Sequence, residues 1–362
     1  MHFFPNIEKA YTQDNLSALE AQRLASYIAF GPIVFQVSRL MLKFRILDML
    51  REAPATEAEI AQKAGISNYA AKVLLEASLS IGTVIIDPEN QYHLTKTGWF
   101  LLTDPFTRVN VDFNHDVNYE GLFHLEESLK EGRPAGLAHF GPWPTIYEAL
   151  SSLPGHVRES WFGFDHFYSD ESFEEALPIV FAGKPRKIMD VGGNTGRFAQ
   201  RCVAYDPDVE VTVVDLPQQI GLMKEATARD PNAKRIHGDG INLLDPSNTF
   251  PQTLHPDVIW MSQFLDCFSE EQILSILQRA AKVMGPQTEL LIMETFWDRQ
   301  RYETAAFCLT LTSVYFTALA NGNSKMYHSD DMIRLVDVAG LRVETIHDNL
   351  GLGHSILVCK IK

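Results

Sequence analysis

The sequence predicts an α/β protein: a Rossmann-like, doubly wound domain preceded by a mainly α-helical, winged-helix domain. From Lys184 to the C-terminus, short apolar runs alternate with amphipathic helical segments, which is typical of a largely parallel sheet with helices on both faces. The N-terminal part has a helical pattern that closes with a hairpin signal. The strands predicted for the second domain are residues 187–191, 209–215, 235–238, 257–261, 289–294, 342–346 and 355–360.

The N-terminal elements follow from local signals. Residues 15–52 have a helical pattern, and residues 30–50 place apolar side chains on more than one face, which predicts that this segment is largely buried. Thr56 and Glu59 have the spacing of a capping box, and Ser67 begins a second helix that runs to about Ile81. The stretch TVIIDPENQYHLT then alternates around a turn, as a hairpin does. Two helices, a tight turn and a hairpin together predict a winged helix.

Charge limits the partners of this winged helix. The formal net charge of the chain is −15, and the helix that would read DNA offers only Lys72 as a cation. A DNA reader needs several phosphate contacts, so we expect no nucleic-acid partner, whereas neutral or cationic small ligands are compatible with the charge. The composition equally disfavours an anionic membrane surface.

Cysteines and apolar stretches indicate the compartment. No C-x-x-C pair occurs among Cys202, Cys267, Cys308 and Cys359, so we expect neither a metal site nor a disulfide framework, and a cytoplasmic location. The N-terminus lacks the pattern of a secretory signal. The apolar stretch 305–320 is short for a membrane span and contains threonines, so we expect a buried helix and no membrane insertion.

The turn after the first strand of the second domain, in RKIMDVGGNTGRFAQRC, marks the ligand site. Asp190, Gly192, Asn194 and Gly196 fit D-x-G-x-N-x-G, and no dinucleotide pattern G-x-G-x-x-G can be drawn through the glycines. In open α/β sheets a ligand binds at the carboxyl ends of the strands. An acid just before the glycines suits a ligand with a cationic end, and S-adenosylmethionine carries an ammonium and a sulfonium but no phosphate.

Two further acids end the next strands. Asp215 ends the second strand and has the position to accept both hydroxyls of a ribose, and Asp239 follows the third strand, where it can accept an adenine amino group. The three strand ends therefore predict one acidic cleft for a cationic nucleoside.

The order and spacing of IMDVGGNTGRFA, VVDLP, HGDG, WMSQFLDCFSEEQILSIL and IMET resemble the class I S-adenosylmethionine-dependent O-methyltransferases. The similarity is greatest to the dimeric small-molecule type known from plant phenolic and from bacterial polyketide and carotenoid pathways. It covers nearly the whole chain. It implies a winged-helix dimerisation domain at residues 1–104, a helical linker and substrate-wall region at 105–183, and a cofactor-binding methyltransferase domain at 184–362. It also implies a homodimer and a small-molecule acceptor.

The resemblance assigns residues that contact the cofactor S-adenosylmethionine. Methyl transfer would convert this cofactor into S-adenosylhomocysteine. Asp190 and the turn of Gly192, Gly193 and Asn194 would lie at the methionine part, Asp215 at the ribose, and Leu216 and Asp239 at the adenine. Three positions depart from the family. Asn194 stands where a glycine is usual, Gly240 where a bulky apolar residue is usual, and Ser262 where a lysine lies near the cofactor.

The catalytic pattern departs further. In the plant members a histidine flanked by two acids serves as base, and this chain has Asp266 at the histidine position, Glu294 at the first acid and Met326 at the second. Three interpretations stay open: Asp266 is the base, another histidine such as His328 has taken the role, or alignment of the acceptor suffices without a base. The other candidate histidines are His115, His124 and His166.

Aromatic residues suggest the acceptor. We expect a wall for a flat phenolic or polyene acceptor, formed from some of Phe162, Phe164, Phe167, Tyr168, Phe264, Phe268, Tyr315 and Phe316. The predicted function is methyl transfer to a hydroxyl of a small aromatic or quinol-like metabolite. The alternatives are C- or N-methylation or non-methylating chemistry on the same fold, and a cofactor-sensing winged-helix regulator.

Overall fold

The computed structural model of the protein describes residues 3–169 and 172–362, which divide into two units. One unit comprises residues 14–117 and 159–164, and the other comprises residues 1–13, 118–158 and 165–362. We call them the helical unit and the α/β unit. The domain boundaries predicted at residues 104 and 183 were placed by sequence motifs, whereas the two units are defined by packing. Those boundaries stay a prediction.

The helical unit contains the predicted winged helix. The capping box of Thr56 and Glu59 is present, Gly65 ends that helix in the left-handed conformation, and Ser67 caps the next helix. The hairpin pairs Val84 with Leu94. Its helices and strands are α2 (Ala18–Ala29), α3 (Gly31–Lys43), α4 (Ile46–Glu52), α5 (Glu57–Ala64), α6 (Asn68–Ile81), β1 (Val84–Ile86), β2 (Tyr92–Leu94), α7 (Lys96–Thr103) and α8 (Pro105–Phe113), following α1 (Pro5–Thr12) of the other unit.

The α/β unit is built on a seven-stranded sheet in the order β5-β4-β3-β6-β7-β9-β8. The first five strands in that order are parallel, and β9 runs antiparallel to both β7 and β8. All seven strands predicted from the sequence are present. They are β3 (Lys187–Val191), β4 (Glu210–Asp215), β5 (Ile236–Gly240), β6 (Val258–Ser262), β7 (Glu289–Glu294), β8 (Leu341–Leu350) and β9 (His354–Ile361).

Helices cover both faces of this sheet. Because side chains alternate along a strand, Met189 and Val191 pack on one face while Ile188 packs on the other. The helices of the unit are α9 (Leu125–Glu131), α10 (Ile146–Ala149), α11 (Gly155–Ser169, of which residues 159–164 belong to the helical unit), α12 (Phe173–Val180), α13 (Arg197–Tyr205), α14 (Pro217–Thr227), α15 (Glu270–Ala281), α16 (Glu303–Tyr315) and α17 (Ser329–Val338). Buried residues of α15 and α17 share one core with the sheet, and those of α12, α13 and α14 share the other. This is the predicted doubly wound architecture.

The apolar stretch near residue 310 is helical, as predicted. Glu303–Ala320 has a mean hydropathy of 1.2 and is long enough to cross a membrane, and 44% of it is buried inside the protein. Ala306, Leu309, Thr312 and Tyr315 are among its buried side chains. A buried core helix of a globular protein can be as long and as apolar as a membrane-spanning helix. The absence of membrane insertion therefore stays a prediction.

Candidate active site

The glycine turn joins β3 to α13 and carries no bulky side chain toward the sheet edge. Gly192 has φ 75°, and a Cβ there would lie 2.3 Å from the ring of Phe264. A Cβ on Gly193 would lie 2.5 Å from the carboxylate of Asp190. Asn194 has φ 50° in the left-handed region, which asparagine tolerates better than most residues. The departure from glycine at this position is therefore compatible with the turn.

Asp190 lies beneath this turn and is 2% exposed. Its Oδ2 atom is buried and has no hydrogen-bond partner among residues 3–169 and 172–362. Burial, with a smaller contribution from the charge of Asp215, raises the pKa of Asp190 to about 7. A buried acceptor without a donor destabilises a protein interior. The Asp190 carboxylate is therefore a candidate to accept a hydrogen bond from a ligand.

Asp215 is tied to the turn by two backbone amides. The N–H of Asn194 donates to Oδ2 at 2.9 Å and the N–H of Leu216 donates to Oδ1 at 2.7 Å. Burial raises the pKa of Asp215, and these two hydrogen bonds oppose that rise. The carboxylate thus links the ends of β3 and β4 and fixes the shape of the turn.

The remaining predicted cofactor residues lie at neighbouring strand ends. Asp239 pairs with Val214 and Gly240 with Asp215 in the register of β4 and β5. A Cβ on Gly240 would lie 3.1 Å from the Cα of Pro217, so glycine lets the first turn of α14 approach closely. Ser262 ends β6, and its Oγ is buried without a partner in the described part of the chain. All of these residues therefore lie at the carboxyl edge of the parallel strands, where a ligand site is expected.

A second acidic group lies beyond the end of β6. Glu294, at the end of β7, accepts the backbone N–H groups of Phe264 and Leu265 on Oε1, at 3.2 and 2.9 Å. Its other oxygen, Oε2, is buried without a partner in the described ranges. Asp266 follows directly in the same turn and is 5% exposed. The structure therefore brings Asp266 and Glu294 together, as the resemblance implies.

Burial dominates the electrostatics of this pair. It raises the pKa of Asp266 to about 6 and the pKa of Glu294 well above its ordinary value, and the nearby charge of Asp266 raises the latter further. Two carboxyls this close in a dry site do not both ionise readily. At neutral pH the pair therefore does not readily hold two negative charges.

Polar side chains hold the turn that carries Asp266. The amide of Asn321 donates to the carbonyl of Cys267, and the hydroxyl of Tyr327 donates to the carbonyl of Phe268, both at 2.6 Å. The Cys267 thiol donates to Asp266 Oδ1 at 3.5 Å. Burial raises the pKa of the Tyr147 hydroxyl, with a further contribution from neighbouring Cys267. The acid pair is thus embedded among neutral groups.

His328 has a different environment from the acid pair. It is 2% exposed and lies at the N-terminus of α17, where its Nδ1 accepts the N–H of Asp330 at 3.0 Å. Its Nε2 lies 3.8 Å from Asp298. The ring contacts Trp297 and Phe3, with centroids 5.1 and 6.0 Å apart. These contacts make His328 a helix cap in a packed aromatic cluster.

The other candidates are distributed over both units. His115 contacts Asp116 at 2.6 Å within the helical unit, whereas His124 contacts Glu127 at 3.3 Å within the α/β unit. His166 lies 3.9 Å from Asp165. Of the predicted aromatic wall, Phe264 and Phe268 pack against each other with centroids 4.8 Å apart. Other members pair as Phe113–Phe164, Trp161–Phe162, Phe167–Tyr168 and Tyr315–Phe316.

Sequence reasoning missed several residues of this region. Asp298 is 2% exposed and accepts the backbone N–H of Ser329 at 2.7 Å, and Tyr147 lies beside Cys267. Both come from segments without a motif, and only the tertiary fold brings them to the site. The described residues hold no group of three or more His, Cys, Asp or Glu side chains with the arrangement of a metal site.

Comparisons with known proteins agree with this geometry. Residues 22–92 match the Dimerisation2-like domain and residues 174–342 match the O-methyltransferase domain. The chain is 21% identical over 331 residues to the L-tyrosine C(3)-methyltransferase of Streptomyces lavendulae, covering 90% of this chain and 88% of the relative. It is 23% identical to the acetylserotonin O-methyltransferase of Macaca mulatta, covering 78% and 82% of the two chains.

A solved structure shows the same fold. The S-adenosylmethionine-dependent methyltransferase SibL superposes with a TM-score of 0.71 at 21% identity, over 93% of this chain and 98% of that one. The first match lies within the helical unit and the second covers strands β3 to β7 of the sheet, in the order that the motifs predict. With its strand-end acids, its glycine turn and these two domains in that order, the chain belongs to the S-adenosylmethionine-dependent O-methyltransferases with an N-terminal dimerisation domain.

Proposed function

We propose that this enzyme transfers a methyl group from S-adenosylmethionine to a hydroxyl of a small aromatic or quinol-like metabolite. The observation that carries the proposal is the row of acids at the carboxyl ends of β3, β4 and β7 beside a turn of small residues. Bound at this edge, the cofactor would supply an electrophilic methyl group. The acetylserotonin O-methyltransferase relative is named for methylation of such a hydroxyl.

The residues at the glycine turn fit this cofactor. The buried, unpartnered oxygen of Asp190 suits the cationic methionine end, and a Cβ on Gly192 or Gly193 would collide with Phe264 or Asp190 and distort the turn. We assign Asn194 to the same end, Asp215 to the ribose, and Leu216 and Asp239 to the adenine. Gly240 lies beside these residues, where it allows α14 to approach β5. Ser262 Oγ is a further buried polar atom at this edge without a partner among the described residues.

Asp266 is the side chain that we place at the acceptor hydroxyl. With a pKa of about 6, its carboxylate is about 10⁴-fold weaker as a base than a phenolate of pKa about 10. It therefore accepts a hydrogen bond from the hydroxyl and takes the proton as the oxygen attacks, rather than before. Glu294 holds the backbone amides of Phe264 and Leu265 and so positions Asp266. Alignment of the oxygen supplies most of the remaining rate.

A second candidate function is C-methylation of an aromatic ring. It is favoured by one relative, whose name describes methylation of a tyrosine ring carbon, and by the absence of a histidine at the motif position of the base. The product distinguishes the two reactions, because an O-methyl ether and a C-methyl phenol differ in their carbon chemical shifts.

We also propose a homodimer formed through the helical unit. Helix α2 has no buried residue within one chain although it is partly apolar, and its Leu19 and Ile28 are 78% and 72% exposed. A helix of this kind requires a partner to cover it. Phe30 and Ile33 extend the same apolar surface into α3.

A labelled-methyl transfer assay against phenols, catechols and quinols tests the reaction. We expect transfer to at least one of these classes and a product that shows an O-methyl resonance. If the protein binds S-adenosylmethionine but transfers its methyl group to none of these classes, the acceptor assignment is overturned.

The cofactor assignment has its own test. Asp215→Ala removes the acceptor of the Asn194 and Leu216 amides and of the proposed ribose hydroxyls, so we expect at least about a tenfold loss of S-adenosylmethionine affinity by calorimetry. Asp257→Ala at the opposite end of the sheet, which binds the Arg186 and Lys187 amides, serves as the matched control. Equal affinity of Asp215→Ala and the wild type refutes the ribose assignment.

A further inference from the structure

The acid pair of Asp266 and Glu294 has no cationic partner within the described residues. The side chains that surround it are Cys267, Tyr147 and Tyr327, and burial raises the pKa of each, so that all three are neutral near pH 7. A buried carboxylate without a countercharge is strongly disfavoured in a stable core. It persists where a ligand supplies the missing charge.

The basic side chains of the flanking segments are paired elsewhere. Arg334 contacts Glu270 at 2.6 Å, and Lys325 contacts Asp331 at 3.4 Å, with all four side chains at least 30% exposed. Arg299 forms a two-point contact with Asp348, with both distances 2.7 Å. Among the described residues, no ion pair joins one of these cations to Asp266 or Glu294.

An unpartnered atom points to the kind of group that is missing. Glu294 is 3% exposed, and its Oε2 has no donor among the residues described. A neutral phenol brings one O–H donor, which satisfies one oxygen of the pair. An ammonium brings three N–H donors and a positive charge, which together can satisfy Glu294 Oε2 and Asp266 at once.

The cofactor does not remove this need under the proposed function. Two other acids, Asp190 and Asp215, lie at the ends of β3 and β4 for its cationic and ribose groups. Asp266 and Glu294 lie at the ends of β6 and β7, on the acceptor side. The net charge of −15 further favours the approach of a cation over that of an anion.

We propose that the acceptor of this enzyme is a cationic amine whose ammonium group lies next to the methyl-accepting hydroxyl, and that Asp266 and Glu294 bind the ammonium while Asp266 also faces that hydroxyl. The proposal rests on the proposed function, because it names the acceptor class of the same site.

Matched ligand pairs test it by calorimetry in the presence of S-adenosylhomocysteine. Each pair keeps the phenol and replaces an ammonium beside the hydroxyl by a methyl group: 2-(aminomethyl)phenol with 2-ethylphenol, 3-(aminomethyl)catechol with 3-ethylcatechol, and 1-aminomethyl-2-naphthol with 1-ethyl-2-naphthol. We expect the amine to bind at least tenfold more tightly than its partner on at least one scaffold. Equal affinity on every scaffold, tighter binding of the neutral members, or no binding of any amine at millimolar concentration would overturn the proposal.

Two variants locate the effect. Asp266→Asn and Glu294→Gln keep the shape of the site, and we expect the preference for the amine to fall below threefold in Asp266→Asn and to fall partly in Glu294→Gln. Asp208→Asn removes one exposed charge, at a side chain 63% exposed beside Arg186, and is expected to keep the full preference. A preference that survives unchanged in both site variants contradicts the assignment of these acids.

The transfer assay separates this inference from the proposed function. Methylation of the neutral phenols with rejection of the amines would overturn the cationic acceptor and leave the O-methyltransferase reaction intact. Tight, Asp266-dependent binding of an amine without methylation of its hydroxyl would support the cationic ligand and overturn the O-methyltransferase reaction.

Discussion

At the scale of single residues, the departures from the family pattern are explained by their surroundings. Asn194 occupies a left-handed position that asparagine accepts, and Gly240 allows α14 to approach β5. Asp266 replaces a ring nitrogen by a buried carboxylate whose pKa is about 6. The pKa at this motif position therefore remains in the range of a histidine although the chemistry of the side chain has changed.

The raised pKa of Asp266 has a consequence for stability. Between about pH 4 and pH 6 the folded protein holds a proton on this carboxyl that the unfolded chain releases, so the stability contributed by the neutral form is lost as the pH rises through that window. Asp266→Asn removes the titration. We expect the variant to be more stable than the wild type at pH 8 by an amount of order 1–3 kcal/mol, and by much less at pH 4.

Chemical denaturation at the two pH values measures this difference. Glu271→Gln, at an exposed position in the first turn of α15, is the control for removal of a single negative charge. A difference that is the same at both pH values would mean that Asp266 titrates normally in the folded protein.

His328 separates a structural role from a catalytic one. His328→Asn retains an acceptor for the Asp330 amide, so we expect kcat to stay within about threefold while the melting temperature falls because the ring contacts with Trp297 and Phe3 are lost. Steady-state kinetics and thermal unfolding measure the two effects. A hundredfold loss of kcat at an unchanged melting temperature would instead identify His328 as the base.

At the scale of elements, the turn between β3 and α13 is the most constrained segment of the site. Gly193 has an ordinary φ, so the backbone accepts alanine, but the new methyl group would lie 2.5 Å from Asp190 Oδ2. We expect Gly193→Ala to displace that carboxylate and to weaken S-adenosylmethionine binding at least tenfold, measured by calorimetry.

Gly221→Ala is the matched control for this substitution. It lies within α14, where an added Cβ contacts nothing within 4 Å, and alanine favours the helix by roughly 0.5–1 kcal/mol. Cofactor affinity should be unchanged in this variant. Equal affinities of the two variants would show that the turn does not hold the cofactor.

The sequence predicts elements well where the signal is local. The seven strands of the α/β unit read as apolar runs because most are buried on both faces, and Thr56, Ser67 and Gly65 carry their capping signals in the chain itself. The contact between Tyr11 of helix α1 and Trp297 was not predicted, because the two rings are brought together only by the tertiary fold.

The same distinction applies to the site. Asp190 and Asp215 could be found from their places at strand ends, because parallel strands end at a common edge, whereas Glu294 was found through the resemblance. The protonation of the Asp266–Glu294 pair could not, because it depends on burial and on the neutral character of Tyr147 and Cys267, which no motif records.

At the scale of the whole molecule, the exposed surface of the helical unit predicts assembly. Replacing Ile28 and Ile33 by Asp places two charges on the apolar surface of α2 and α3, which a stable dimer would have to bury. We expect the double variant to sediment as a monomer at micromolar concentrations where the wild type is a dimer. Leu222→Asp, at a half-exposed position of α14, should leave the oligomeric state unchanged. A wild-type protein that sediments as a monomer would refute the dimer directly.

The buried carboxyl of Asp190 links occupancy of the glycine turn to the surrounding buffer. Since its pKa is about 7, a substantial fraction of molecules near neutrality carry a proton there, and a positively charged guest would expel it. The heat of complex formation should then vary with the ionisation enthalpy of the buffer, and affinity should rise from pH 6 to pH 8. Through this one side chain, small changes in pH near neutrality would change the fraction of the enzyme that has its methyl donor bound.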